Sequence, residues 1–213
     1  DSDLVRLAAV QQAVFIPEAL KPTLLAPLLK DPRRSVRVTA AGSLGGAVNG
    51  LKHDNSADLA MQELSISLAQ IAWRGEGRLR LSERALQLGD TGEAVKQLLE
   101  AQRIDPYFFG SYLNLADIYR SVGDEGKVIE VLDKGIGRIS DAAPLHYSKA
   151  LSLIRLKDYQ GALGSLQTAS DLDHENADYL VARLLVLQKV GRVPQALKLI
   201  ELIPVSMRED PRI

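Results

Sequence analysis

The feature that most restricts this chain is an internal repeat. Ala94, Val128, Ala162 and Ala196 follow one another at intervals of 34 residues. The same step carries Val95 to Ile129, Leu163 and Leu197, and Leu98 to Leu132, Leu166 and Ile200. Turn signals recur in phase, as Gly89-Asp90, Gly123-Asp124 and Gly191-Arg192, with Lys157-Asp158 in the remaining place. A period of about 20 to 50 residues marks an array of small units, none of which buries its own apolar face until it stacks on a neighbour. Small residues at the Ala116/Ala150 and Ala94/Ala162/Ala196 positions let helices approach closely, while Leu and Tyr at i, i+3, i+4 and i+7 fill the spaces between them. The pattern predicts an all-α chain, an α-solenoid of stacked helical hairpins without a strand.

The pattern resembles the tetratricopeptide repeat (TPR) family, whose unit is a helix–turn–helix of this length. The second unit carries the resemblance best: Tyr112, Leu115, Ala116, Tyr119 and Gly123 stand at the family's aromatic, Leu, small, aromatic and Gly positions, after Asp105-Pro106. The first unit keeps Leu81, Ser82, Ala94, Leu98, Ala101 and Pro106, with Arg78 and Ala85 at the aromatic positions. The third has His146, Lys149 and Leu153 at the signature positions, and the fourth Leu180, Arg183 and Leu187. The resemblance implies four TPR-type hairpins and a short tail over 75–213, bounded as 75–108, 109–142, 143–176 and 177–207.

The first part of the chain follows another pattern. Asp31-Pro32, then Val36-Arg37-Val38-Thr39-Ala40-Ala41, resembles a HEAT-like repeat, and Leu4-Val5-Arg6-Leu7-Ala8-Ala9 looks like the second helix of a preceding copy. Residues 1–55 are therefore expected to hold HEAT-like helices, with a truncated first repeat, and a turn-rich linker over Gly42–Ser56. Residues 56–74 are expected to form a connecting helix with Ser56 as its N-cap.

Composition narrows the chemistry. The 213 residues include no Cys, so thiolate nucleophiles, Cys-ligated metals and covalently attached haem are excluded within them. A net charge of -1 with scattered Lys and Arg disfavours nucleic acid, and the absence of a long apolar run argues against membrane insertion. His53, His146 and His174 have no partner at metal-ligand spacing, and Asp171, Asp173 and Glu175 lack the Gly and distal Glu of a calcium loop. Gly42-Ser43-Leu44-Gly45-Gly46 follows a helix and lacks the Lys that would hold phosphates. Arg33, Arg34 and Arg37 form the one compact basic group, and Trp73, Tyr107, Phe108 and Phe109 read as core or joint residues. No catalytic residue, cofactor or metal is expected, and the chain reads as not an enzyme.

What the TPR resemblance implies is a concave groove lined by the first helices of successive repeats, binding a protein or peptide. Carried onto this chain it gives Leu113, Asn114, Asp117 and Arg120, then Tyr147, Leu151, Ile154 and Arg155, then Val181 and Leu185. Asn114 matches an asparagine with which family members hold a peptide's backbone or terminal carboxylate, and an amphipathic helix or extended apolar segment suits the lining. The order of HEAT-like units, a long helix and TPR units is similar to the C-terminal region of bacterial periplasmic multihaem c-type cytochromes. The resemblance implies a fragment of a larger bacterial protein and a periplasmic setting. The TPR region of a glycosyltransferase resembling the O-linked N-acetylglucosamine transferases, and an oligomerisation module, stand as alternatives. The apolar fourth unit points to a homodimer through that unit, or to its folding against the HEAT-like part of its own chain.

Overall fold

Three of the four turns between paired helices of the repeat region start with a glycine whose backbone is left-handed: Gly89 at φ +79°, Gly123 at +77° and Gly191 at +76°. The fourth is Lys157, at φ 62°, the one non-glycine with positive φ among the described residues. In three of the turns an aspartate follows and caps the next helix: Asp90, Asp124 and Asp158 accept from the amides of Glu93, Lys127 and Gly161 at 2.9, 3.0 and 3.0 Å. The Gly-Asp pairs visible in the sequence are thus a helix stop followed directly by a helix start.

The computed structural model describes residues 2–51 and 55–202, and its described residues contain no strand. His53, Ile203 and the tail from Pro204 lie outside them. The fold is all-α, with consecutive helices packed as pairs. It divides into two compact units, Asp1–Asp105 and Pro106–Ile213.

The first unit holds α1 (Asp3–Gln11), the short α2 (Lys21–Leu25), α3 (Arg34–Leu44), α4 (Asn55–Ile71), α5 (Gly75–Gln87) and α6 (Thr91–Ile104). Tight 3-10 turns fill Gln12–Phe15, Glu18–Leu20, Ala26–Lys30 and Gly45–Leu51. Within the stretch expected as a turn-rich linker, α3 runs on to Leu44 and a 3-10 helix covers Gly45–Leu51, and Ser56 lies one residue inside α4 rather than ahead of it. Val10, Leu25, Leu29, Val36, Ala40, Leu44, Ala60 and Leu64 form one buried cluster among its first four helices.

Asp31 organises the entry to α3. Its carboxylate accepts from the backbone N–H of Arg33 at 2.8 Å and from Nε of Arg6 at 2.6 Å. The Arg6 guanidinium, and after it the Arg33 amide, hold the Asp31 carboxyl below the usual carboxylate range. Arg37 donates to the Asp31 carbonyl at 2.8 Å and grips Glu63 of α4, Nε to Oε2 at 2.9 Å. Arg33 pairs with Asp3 at 2.8 Å, and Arg34 reaches the Glu63 carbonyl at 3.4 Å. The compact basic group is engaged by groups of its own unit. The glycines after α3 serve close approach: a Cβ on Gly46 would lie 2.7 Å from the carbonyl oxygen of Gln87 in α5.

The second unit holds α7 (Phe109–Ser121), α8 (Glu125–Ile136), α9 (Ala143–Arg155), α10 (Tyr159–Leu172), α11 (Ala177–Lys189) and α12 (Val193–Leu202). Ala116, Val128, Ala150 and Ala162 are fully buried where helices cross. Tyr112, Ala116, Val128, Leu132 and Leu145 form one cluster, and Ala150, Leu163, Leu166, Val186 and Leu187 another. The Tyr112 hydroxyl donates to the Pro106 carbonyl at 3.0 Å, so its polar tip is satisfied while its ring is buried.

Candidate functional site: an apolar groove between α9 and α11

Spacing along α9 puts Tyr147, Leu151 and Ile154 on one stripe. Along α11 the same rule aligns Asp178, Val181, Ala182, Leu185, Val186 and Lys189. In the structure the two stripes face a common cavity of about 470 Å³, which Tyr159 from the start of α10 also lines. Leu185 is 60% exposed although its neighbours are apolar. Such side chains would be inside a core if something covered them.

The charges in the lining are Asp178 and Lys189, at opposite ends of α11. At 1.5 Å of rise per residue they stand roughly 16 Å apart. Tyr147 packs against Tyr179 with ring centroids 4.7 Å apart at 40°. Burial, and after it the charge of Asp178, raise the Tyr147 phenol above its ordinary value, so it stays protonated at neutral pH. The groove is an apolar channel with one anionic and one cationic end.

Of the ten groove positions expected from sequence, Tyr147, Leu151, Ile154, Val181 and Leu185 meet in this cavity. The other five do not line it. Leu113 is part-buried against the Tyr112 cluster. Asn114 donates its side-chain N–H to the Gly110 carbonyl of its own helix at 2.9 Å. Asp117 pairs with Arg120, and Arg120 crosses to α9 to donate to Ser148 Oγ at 2.9 Å and Ser152 Oγ at 3.3 Å. Arg155 turns toward Glu125 of α8 at 3.7 Å. Sequence reasoning missed Tyr159, Asp178, Ala182, Val186 and Lys189. The helical stripe of Val181 and Leu185, extended by one turn each way, would have found Asp178 and Lys189. Tyr159 lies on a second helix, which the family rule leaves out.

The other candidates have ordinary surroundings. The His146 ring contacts the Ser140 carbonyl at 2.9 Å. Asp173 accepts from Asn176 at 3.3 Å within the turn before α11. Among the described residues no three or more His, Asp or Glu side chains are grouped for a metal ion, and no helix is long and apolar enough to cross a membrane. Of the aromatics expected in the core or at a joint, Trp73, Tyr107 and Phe109 are exposed and Phe108 is half-buried, and Arg74 lies over the Trp73 ring at 4.4 Å.

No protein-family model matches the chain, and no curated protein matches it by sequence. Solved structures do match. Residues 41 to the end of MamA from Desulfovibrio magneticus RS-1 give a TM-score of 0.54 at 15% identity, covering 80% of this chain and 97% of that one. The thermophilic TPR protein TTC0263 of Thermus thermophilus gives 0.53 at 20% identity, covering 81% and 93%. A further MamA structure gives 0.52 at 15% identity, covering 78% and 88%. At these identities the likeness bears on the fold, which is a TPR-like helical repeat.

Proposed function

We propose that the chain is a non-catalytic helical-repeat scaffold that holds a segment of a protein partner in the groove between α9 and α11. One observation carries this reading. Leu151, Ile154, Val181 and Leu185 line an open cavity of about 470 Å³ whose charges stand at its two ends. An amphipathic helix or extended apolar segment would bury the stripe, and a partner with a cation toward Asp178 and an anion toward Lys189 would be oriented by them. A photocrosslinking amino acid at position 185, compared with one at the exposed Leu156 outside the cavity, tests the reading in cells. Adducts with one partner from position 185 alone support it, and equal adducts from both positions defeat it.

The exposed Leu185, Val193 and Leu197 also favour a homodimer through the fourth hairpin. Light scattering on the eluted protein decides that point, and a strict monomer excludes it. The finer proposal of HEAT-like units ahead of the TPR array, as the C-terminal part of a periplasmic multihaem cytochrome, is supported by the order of units in the sequence. Cys-x-x-Cys-His motifs upstream in the gene would bear it out, and a nucleotide-sugar domain there would favour the glycosyltransferase reading instead.

A further inference from the structure

The groove leaves a second cavity, in the first unit, without a role. It measures about 510 Å³ and opens between α3, α4 and α5. One wall is apolar, formed by Val38, Leu64, Leu68 and Ile71, with Val14 at the edge. Arg84 of α5 also lines it.

The surroundings of Arg84 differ from those of the arginines around Asp31. Arg6, Arg33 and Arg37 each hold a carboxylate. Arg84 instead donates to the Gly45 carbonyl at 3.1 Å and contacts the Met61 sulfur at 3.4 Å, and no carboxylate among the described residues pairs with it. Glu83, the one acid in the lining, is turned to Arg80 at 3.7 Å. Lys21 also lines the cavity and pairs with the exposed Glu18. Lys21, Arg80 and Arg84, with Glu83 the one carboxylate, therefore line a single cavity.

A guanidinium offers five donors in a planar fork that matches a carboxylate, and the two contacts to neutral acceptors occupy one N–H on each terminal nitrogen and leave three donors for an anion. Its partial burial costs solvation, which lowers its proton affinity and which an incoming anion would repay. The apolar wall beside it would take a hydrocarbon tail, and a cavity of this size is in the range of small-ligand sites.

We propose that this cavity binds an aliphatic monocarboxylate, with the carboxylate on Arg84 and the tail along Val38, Leu64 and Leu68. A free medium-chain fatty acid and the C-terminus of a peptide ending in an aliphatic residue share this chemistry.

Octanoate, N-acetylleucine, acetate and octanol are titrated against the whole chain by calorimetry and methyl NMR. Octanoate or N-acetylleucine should bind in the millimolar range or tighter, and the tighter of the two identifies the source. Acetate lacks the tail and octanol the charge, so each should bind about tenfold more weakly or worse. Arg84→Gln should weaken the carboxylate about tenfold or more. Val14→Glu changes an exposed residue and leaves the Arg84 contacts in place, so it tests the same point if Arg84→Gln does not fold. The added charge should also weaken binding. Failure of both carboxylates to bind at about 10 mM, octanol binding as well as octanoate, or both variants binding like wild type would overturn the proposal.

Discussion

Gly135 of α8 lies against the ring of Tyr112 on α7: a Cβ built on it would come 2.9 Å from the ring's Cγ and 3.1 Å from Cδ1 of Leu145. The two helices meet at this point through the absence of a side chain on one and a large ring on the other. Alanine usually improves a helix over glycine by about 1 kcal/mol. Here it should overpack a buried contact, at a cost of about 1–3 kcal/mol. Gly135→Ala should therefore lower stability by about 1 kcal/mol in urea denaturation, the difference of the two effects. Gly164, also helical, has open space around its Cβ position, and Gly164→Ala should raise stability by about 0.5–1 kcal/mol. Equal changes at the two sites would show that the α7–α8 contact is not this close.

The turns offer a second test. Gly123 at φ +77° should resist replacement, and Gly123→Ala should cost about 1 kcal/mol because a Cβ is crowded in that backbone region. Lys157 already bears that strain at φ 62°. Lys157→Gly relieves it while adding freedom to the unfolded chain, so melting should show stability unchanged or raised by up to about 1 kcal/mol. A clear loss at Lys157→Gly would place that turn in another conformation.

Acid should act on the first unit through Asp31. Its carboxyl is held below the ordinary value, first by Arg6 and then by the Arg33 amide. A carboxyl lowered in the folded state contributes stability fully above its unfolded value of about 3.9 and loses it as pH falls through the folded value. Glu63, lowered by the Arg37 hydrogen bond, behaves in the same sense. Urea midpoints measured as a function of pH should fall steeply below about pH 4. Asp31→Asn should lower the midpoint at neutral pH and flatten that fall, and an unaltered pH profile in the variant would remove Asp31 from the account.

The repeat was legible because each hairpin is a local unit. Ala94, Val128 and Ala162 recur at the helix crossings and Gly89, Gly123 and Gly191 at the turns, since every unit solves the same packing problem. Half of the groove was legible for the same reason, through the stripes of Tyr147, Leu151 and Ile154 and of Val181 and Leu185. The charged residues were not. Arg155 and Arg120 reach toward Glu125 and toward Ser148 and Ser152, partners on other helices that a single helix register does not contain. The Gly45-Gly46 pair lay in an expected linker, and its close approach to Gln87 is a tertiary contact without a local signature.

The most direct test of the groove is the affinity of the partner recovered by crosslinking, measured by calorimetry for the wild type and for the variant with Leu151→Glu and Leu185→Glu, with circular dichroism to confirm the fold. Leu185 is largely exposed and Leu151 half-buried, so the helices should persist. Loss of two apolar anchors should weaken binding by about 2 kcal/mol or more, roughly thirtyfold, while Leu156→Glu outside the cavity should leave it unchanged. Wild-type affinity in the folded double variant would contradict the central claim and place the partner elsewhere on the chain.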